Sequence, residues 1–342
     1  MSMRGFDDIE ARQNGMAIPP QLYQTEPSMS TFHDILAQGA SIVVRHIHFT
    51  VPPIQWLAAA IERQLGFAVG VNAYLSFSKG GAFNPHWDGH DVLVVQVHGK
   101  KTWRLWDATV TNPIEQSRYA KHDITGPASE ELELSSGDVL YIPRGEPHAA
   151  SVSPVSGDGS VHLTIGLDSL TGVNVLEQLG SAAGQDEFLR SDLPQQGAEA
   201  QLRDYEAELK TRLHRLVDGL DISALLRESD ANRPPIRQVS LVSSEEPTDI
   251  LRLTLRRRVP LPEGPSPGSA WTGGESPPVT IGGAAYSLSP AAIEVLRRLF
   301  ASDCQSRGDL TEALSSRHER SAVASGLREL SRLGFLMTDR PV

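Results

Sequence analysis

Between about residues 40 and 170 apolar and polar residues alternate in short runs, the period-two pattern that is typical of β-strands. Gly, Pro, Asn and Asp separate the runs, which are SIVVRHIHF, VGVNAYLSF, DVLVVQVHG, KTWRLW, LELSSGDVLYIP and SVHLTIGL. One stretch of helical spacing, 53–65, interrupts them. Many short strands separated by turn signals predict a mainly β domain of the jelly-roll or cupin type, a double-stranded β-helix.

After Ser169 the apolar positions change to helical spacing. We predict helices in the stretches LTGVNVLEQLG, DEFLRSDLP and AEAQLRDYEAELKTRLHRLVDGLDISALLRES, the last of which has an apolar stripe along one face. Such a stripe has to be covered. Either the barrel or a second subunit could cover it, and the pattern favours neither.

The last hundred residues combine strands and helices. A Pro-, Gly- and Ser-rich stretch, 260–278, lies between two predicted strands, DILRLTLRRRV and VTIGGAAYSL, and is interpreted as a long hairpin tip or a linker. Helix, short helix, helix and a final strand follow, which is the order of a winged-helix fold. We therefore predict a catalytic domain at 1–172, a helical segment that is a candidate for dimerisation at 173–235, and an α+β winged-helix-like domain at 236–342.

Charge and composition narrow the class of protein. The formal net charge is −11, and residues 280–342 hold eight Arg against seven acidic residues, so nucleic-acid binding is not expected. Cys304 is the only cysteine, which rules out an internal disulfide and fits a reducing compartment. No apolar run approaches the roughly 18 residues of a membrane span. The first residues lack the pattern of a signal peptide, and we expect a cytoplasmic protein with no membrane partner.

Candidate chemistry comes from two motifs in the β-rich region. In NPHWDGHD, His86 and Asp88 are two residues apart, so on a strand they would point to the same face. In GDVLYIPRGEPH, the spacing predicts a strand, a tight turn and a second strand that returns His148 to the barrel wall. Two imidazoles and one carboxylate on one face form the facial triad that holds non-haem Fe(II). His90 is the rival ligand, and we assign it to the residues that support the ligands or to the substrate cleft.

Two other interpretations of this triad remain open from the residues alone. The three side chains could be buried polar groups that are bonded to the barrel, or they could bind zinc without redox chemistry. The GDVLYIPRGEPH motif resembles the second cupin motif. The first cupin motif is matched only in part, because Gly80 has the expected spacing but Asp88 stands where ordinary cupins have a histidine.

The stretch NPHWDGHDVLVVQVHGKKTWRLW resembles the strand of JmjC-type 2-oxoglutarate oxygenases that carries His-x-Asp and ends in a Gly-x-Lys-x-Trp turn. The order of barrel, helical segment and winged helix is similar to that of the ribosomal oxygenases within this family. The resemblance implies that the triad binds Fe(II) and that 2-oxoglutarate and O2 are cosubstrates. It also implies that the middle segment forms a homodimer and that the last domain does not bind DNA.

Cofactor-binding residues are carried over from the resemblance position by position. Lys101 matches the lysine that pairs with the far carboxylate of 2-oxoglutarate, and Tyr74 matches a tyrosine that hydrogen-bonds the same group. Asn72 matches a polar residue near the metal, and Thr164 is a further cofactor-binding candidate. Trp103 is assigned either to this pocket or to the core. For Lys101 the residues themselves give a reason, since a cation that points into a barrel near iron needs an anion.

The resemblance implies hydroxylation of an amino-acid side chain in a protein or peptide substrate, with a ribosomal protein as one candidate. The alternatives are a tailoring hydroxylase for a ribosomally made peptide or small metabolite, and a catalytically silent metal-binding cupin with an interaction role. If Lys100 rather than Lys101 pointed inward, Lys101 would be an ordinary solvated turn residue. Gly89 replaces an acidic residue that is common in the family, which leaves the substrate open.

Overall fold

The structure is a computed structural model that describes residues 9–13, 16–17, 34, 37, 39–77, 83–108, 110–114, 124, 126–152, 159–195, 199–231, 246–255, 259–262, 276–302 and 304–339. In the first part of the chain the structure describes these strands and this helix: β1 (Ile9–Gln13), β2 (Met16–Ala17), β3 (Ser41–Val44), α1 (Pro52–Leu65), β4 (Ala68–Ser76), β5 (Asp91–Leu105), β6 (Glu130–Ser135), β7 (Val139–Ile142), β8 (His148–Val152) and β9 (Ser160–Asp168).

The nine strands form one curled antiparallel sheet with the order β2-β1-β3-β4-β9-β5-β6, while β7 and β8 also pair with β5. Strand β5 is 15 residues long and merges two predicted strands. Its first half pairs with β9 and β7, and its second half pairs with β6 and β8. A register shift between Gln96 and His98 lies between the two halves, and such irregularities bend a strand. This confirms the predicted cupin-type barrel.

In strands β4 and β9, one face packs against α1 on the outside of the barrel and the other face points into the barrel. Val69, Val71 and Ala73 pack with the apolar side chains of β9 against α1. Because alternate residues of a strand point to opposite faces, Tyr74 and its partner His162 face the barrel interior. The predicted strand SIVVRHIHF is shorter than expected. It ends at Val44, and His46 adopts a left-handed φ of 52° before a 3₁₀ turn at Ile47–Phe49.

The middle of the chain is helical, with α2 (Gly172–Ala183), α3 (Glu199–Asp218) and α4 (Ile222–Ala231). The predicted helix DEFLRSDLP is wrong, since this stretch forms turns. There the Asp186 carboxylate accepts hydrogen bonds from the backbone N–H groups of Phe188 and Leu189, at 2.9 and 3.2 Å. An aspartate that bonds to its neighbouring backbone competes with helix formation.

The last part contains β10 (Ile250–Leu253), β11 (Val279–Ile281), β12 (Ala284–Tyr286), α5 (Pro290–Ser302), β13 (Cys304–Ser306), α6 (Arg307–Leu314), α7 (Arg320–Arg332) and β14 (Leu336–Asp339). The long hairpin that we considered for 260–278 is wrong. Strand β10 pairs with β13 and β14, while β11 pairs with β12, and residues 263–275 lie outside the described part. The three helices and the final strand keep the predicted order, but VTIGGAAYSL forms two paired strands, β11 and β12, and the short strand β13 precedes α6. The winged-helix assignment and the domain boundaries stay predictions.

A separate apolar core holds the last part together, built from β10, β14 and the three helices. It lies against the barrel domain at α1, where the Arg63 guanidinium donates a hydrogen bond of 2.6 Å to the Leu255 carbonyl. No helix in the described ranges has both the length and the apolar character that a membrane span requires.

Candidate metal and anion site

The structure brings His86, Asp88 and His148 together. Each offers a ligand atom, and these atoms lie within 4.8 Å of one another. His86 and His148 form an isolated antiparallel bridge, with hydrogen bonds of 3.1 and 2.8 Å between their backbones. The expectation that His86 and Asp88 share a regular strand is wrong, because they lie in the irregular segment just before β5. The backbone bridge between His86 and His148, the first residue of β8, therefore brings the ligands together. Strand alternation, which we expected to do this, is not needed.

Both imidazoles are oriented by backbone carbonyls. The Nδ1 of His86 lies 2.9 Å from the Asn84 carbonyl oxygen, and the Nδ1 of His148 lies 3.0 Å from that of Glu146. A carbonyl only accepts, so each Nδ1 carries the proton and each Nε2 keeps a free lone pair. The His148 Nε2 lies 3.6 Å from the Asp88 Oδ2. Burial lowers the pKa of His148, and the nearby His86 lowers it further, which favours the neutral imidazole that a metal requires.

A tight turn fixes the second motif against the first. Gly145, with φ of 83°, donates its N–H to the Asp88 carbonyl at 3.0 Å. Arg144 donates its N–H to the Asp91 carboxylate at 2.8 Å. A Cβ at Gly145 would lie 2.4 Å from the Val110 carbonyl oxygen. Glycine is therefore required twice over, by the backbone angle and by the close approach, and the turn delivers His148 to the site.

The triad lines one wall of a cavity inside the barrel. The remaining lining side chains are a mixture of aromatic, polar and small residues together with one lysine: Tyr74, Phe83, Val92, Lys101, Trp103, Ala150, His162 and Thr164. Of the predicted cofactor-binding residues, Lys101, Tyr74 and Thr164 are therefore in the cavity with the triad. Asn72 is not among the lining residues, and its Oδ1 accepts a hydrogen bond of 3.0 Å from the His46 N–H. Its role near a metal stays a prediction.

Lys101 is the cation of this cavity, with a side chain that is almost completely buried. Its Nζ lies 3.2 Å from the His162 Nδ1 and 3.3 Å from the Ser76 Oγ, and no carboxylate of the described residues forms an ion pair with it. Burial lowers the pKa of Lys101 to about 7, which shows how costly this unpaired charge is. Lys100 points the other way and pairs with Glu133 at 2.7 Å on the surface, so Lys101 is the inward member.

Tyr74 and Trp103 line the same cavity, and each carries a hydrogen-bond donor, a phenol O–H and an indole N–H. Burial raises the pKa of Tyr74 to about 12, with a further contribution from Asp88, so the phenol keeps its proton. The Trp103 Nε1 is buried without a hydrogen-bond partner. Trp103 belongs both to the pocket and to the core, because its side chain lines the cavity and also packs into the apolar cluster of the barrel.

Three further polar side chains lie near the triad or near Lys101. His90 lies outside the group of three ligand atoms and lines a neighbouring cavity with Arg144 and Asp168. The His90 ring packs closely against Gly166, because a Cβ at that position would lie 2.9 Å from the ring. His162 and Ser76, the partners of Lys101, were missed. The available signal was that His162 lies two residues before Thr164, hence on the same strand face.

Comparisons with known proteins agree with this geometry. Residues 44–175 match the family model described as the JmjC domain. The chain is 37% identical over 118 residues to the bifunctional lysine-specific demethylase and histidyl-hydroxylase NO66 of Caenorhabditis elegans, which covers 33% of this chain and 15% of that protein. It is 32% identical over 145 residues to ribosomal oxygenase 2 of Rattus norvegicus, covering 39% of this chain and 30% of that protein. The chain thus spans less than a third of the length of these relatives.

A solved structure extends the likeness beyond the barrel. The structure of YcfD, a ribosomal oxygenase from Escherichia coli in complex with cobalt and 2-oxoglutarate, superposes with a TM-score of 0.52 at 17% identity. The superposition covers 97% of this chain and 87% of that one. At this identity the likeness concerns the fold alone, and it includes the helices and the last part of the chain. The match to the JmjC domain model lies in residues 44–175, the part of the chain that forms the cupin-type barrel and holds the triad, and it agrees with the resemblance in the sequence.

Proposed function

We propose that the chain is an Fe(II)- and 2-oxoglutarate-dependent dioxygenase that hydroxylates an amino-acid side chain in a protein or peptide. The observation that carries the proposal is Lys101, a buried amine with no carboxylate partner among the described residues, in the same cavity as two imidazoles and a carboxylate. A barrel that only packed these groups would leave the amine without the anion that its charged form needs. A dicarboxylate cosubstrate supplies that anion.

The side chains of the cavity fit both Fe(II) and 2-oxoglutarate. His86, Asp88 and His148 would hold Fe(II), because one carboxylate and two Nε2 lone pairs are the donor set of a facial triad with open positions. Lys101 would pair with the far carboxylate of 2-oxoglutarate, and the Tyr74 hydroxyl would donate to the same group. Thr164 lines the same cavity. When bound, iron and 2-oxoglutarate supply the oxidative decarboxylation of the cosubstrate to succinate and CO2, coupled to the insertion of one oxygen atom of O2 into a C–H bond.

The protein itself contributes orientation and a restricted environment. The carbonyls of Asn84 and Glu146 fix the tautomers of the two histidines. The aromatic rings of Phe83 and Trp103 line the cavity together with the triad. No side chain is needed as a general base, because the chemistry of the cosubstrate does not require one.

A protein substrate is favoured by the relatives. NO66 carries histidyl-hydroxylase and lysine-specific demethylase in its name, and another relative is named a ribosomal oxygenase. A net charge of −11 suits a basic target such as a ribosomal protein. Both hydroxylation and demethylation begin with oxygen insertion at a C–H bond, and we favour hydroxylation of a side-chain carbon. The competing proposals are a tailoring hydroxylase for a peptide or metabolite and a catalytically silent cupin.

The test is succinate formation from 2-oxoglutarate by the purified protein with Fe(II), ascorbate and air, followed by mass spectrometry of ribosomal proteins and peptides. A gain of one oxygen on a protein side chain supports the proposal. Loss of a methyl group with release of formaldehyde would assign a demethylase, and oxygenation of a small metabolite alone would assign a tailoring enzyme. Bound iron without binding or decarboxylation of 2-oxoglutarate would leave the silent cupin.

We also propose that the helical segment forms a homodimer. Nine of the sixteen large apolar side chains that are exposed in the described residues lie between 170 and 226: Leu170, Val173, Leu176, Leu193, Leu202, Leu213, Val217, Ile222 and Leu226. Neither α2 nor α3 has a single buried residue. The barrel therefore does not cover this apolar surface, and a concentration of this kind is typical of an interface.

Replacing Leu176 with aspartate is expected to convert a dimer to a monomer, because a charge in an apolar interface has no partner. Leu176 is 66% exposed, so the substitution should leave the fold of the subunit unchanged. Leu65→Asp, at the end of α1 and 50% exposed, is the matched control and should remain dimeric. Sedimentation at micromolar concentration measures both. A monomeric unsubstituted protein, or dimerisation that Leu176→Asp does not affect, would contradict the proposal.

A further inference from the structure

A chain of hydrogen-bonded polar side chains joins Ser41, Ser76, Lys101 and His162, and the last two of them line the cavity. The hydroxyl oxygens of Ser41 and Ser76 lie 2.6 Å apart. The Lys101 Nζ lies 3.3 Å from the Ser76 Oγ and 3.2 Å from the His162 Nδ1. All four side chains are at least nine-tenths buried. Polar groups this deep in a barrel are costly unless each has a definite partner, so their arrangement calls for an explanation.

The His162 ring is held by its neighbours on two strands. It stacks on Tyr74 of β4, with ring centroids 4.7 Å apart and planes 10° apart. Trp103 of β5 meets it edge-on at 5.5 Å. Both contacts are geometries that aromatic rings prefer. Because the ring cannot turn freely, its Nδ1 stays directed at the Lys101 Nζ.

The protonation states follow from burial and charge. Burial and the proximity of Lys101 lower the pKa of His162 well below its usual value, so the imidazole is neutral. An ammonium has three N–H donors and no acceptor, so the Nδ1 of His162 must accept and the ring proton must be on Nε2. The other titratable groups that line the cavity are Tyr74 on β4, His148 on β8, and His86 and Asp88 just before β5.

We infer that His162 is a positioning residue for the cosubstrate: together with Ser76 it takes two of the three N–H donors of Lys101 and directs the third toward a carboxylate in the cavity. The inference rests on the proposed function, since 2-oxoglutarate is the anion concerned. His162 does not touch the reacting atoms in this role. It acts through Lys101, first by fixing the direction of the ammonium and second by stabilising its charged form.

The matched variants are His162→Phe and His162→Asn. Phenylalanine keeps the stack on Tyr74 but removes the acceptor, whereas the amide oxygen of asparagine can replace the Nδ1. Calorimetric titration of the Mn(II)-loaded protein with 2-oxoglutarate should show about tenfold weaker binding for His162→Phe, the value of one hydrogen bond to a charged group, and near-normal binding for His162→Asn. The pH above which affinity falls should be lower in His162→Phe, because Lys101 loses a group that stabilises its proton.

Nitrogen chemical shifts of the imidazoles in the unsubstituted protein give a test that needs no variant. Below pH 7, where Lys101 carries its proton, His162 should be neutral with its ring proton on Nε2. A proton on Nδ1, or equal affinity and pH dependence in folded His162→Phe and the unsubstituted protein, would overturn this inference alone. Failure of the unsubstituted protein to bind 2-oxoglutarate would overturn the proposed function and the inference with it.

Discussion

Replacing Asp88 with alanine is expected to abolish decarboxylation of 2-oxoglutarate and to weaken Fe(II) binding by on the order of a hundredfold or more. Asp88 supplies the one carboxylate of the triad and therefore its only negative charge. Loss of groups that merely orient metal ligands already costs about 10- to 100-fold in affinity, and loss of a ligand should cost at least as much. Anaerobic calorimetry with Fe(II) and a succinate assay measure the two effects.

The substitution should leave the barrel intact. The contact that links Asp88 to the turn before β8 is made by its backbone carbonyl, which accepts from the Gly145 N–H, and alanine preserves it. Asp107→Ala is a suitable control, since Asp107 is an exposed acid just beyond β5 and outside the group of ligand atoms. Unchanged iron binding in Asp88→Ala would contradict the assignment of this carboxylate, and would point to His90 as the third ligand.

The grouping of His86, Asp88 and His148 could be predicted from the sequence because its signals are local. His86 and Asp88 are two residues apart, and the GDVLYIPRGEPH motif carries its own turn residues, so the residue types and spacing were informative. The path by which the site forms was not predicted. The backbone bridge between His86 and His148 joins residues that are far apart in the chain, and single-sequence periodicity carries no information about such pairing.

The environment of Lys101 shows the same limit in another form. The inward direction of Lys101 over Lys100 depends on the register shift in β5 between Gln96 and His98, because a shift of one residue exchanges the two faces of a strand. The pairing of β9 with both β4 and β5 then decides that His162 lies next to this lysine. Neither the register shift in β5 nor the pairing of β9 can be predicted from the local pattern of apolar and polar residues. The helix predicted for DEFLRSDLP failed because the Asp186 carboxylate bonds to its own backbone neighbours instead.

Substitution of Lys101 should have the largest effect on the affinity for 2-oxoglutarate. Removal of one partner from a buried, hydrogen-bonded charge pair costs roughly 2–5 kcal/mol, so Lys101→Ala is expected to weaken 2-oxoglutarate binding by at least about 30-fold. Lys100→Ala is the matched control, because that lysine lies next in the chain but pairs with Glu133 at the surface. Calorimetric titration of the Mn(II)-loaded proteins measures both. Equal loss of affinity in the two variants would indicate a general effect of charge rather than a specific pair.

The same lysine makes binding depend on pH in a direction that can be worked out. Without an anion the pKa of Lys101 is lowered to about 7 by burial, whereas a bound carboxylate favours the charged form and raises this pKa. Above about pH 7 the complex therefore holds more protons than the free protein, and binding takes up a proton. Affinity should be constant just below pH 7 and should fall by up to about tenfold per pH unit above it. Lys101→Ala has no amine to titrate and should lose this dependence, so the slope assigns the anion site to this residue independently of any measurement of turnover.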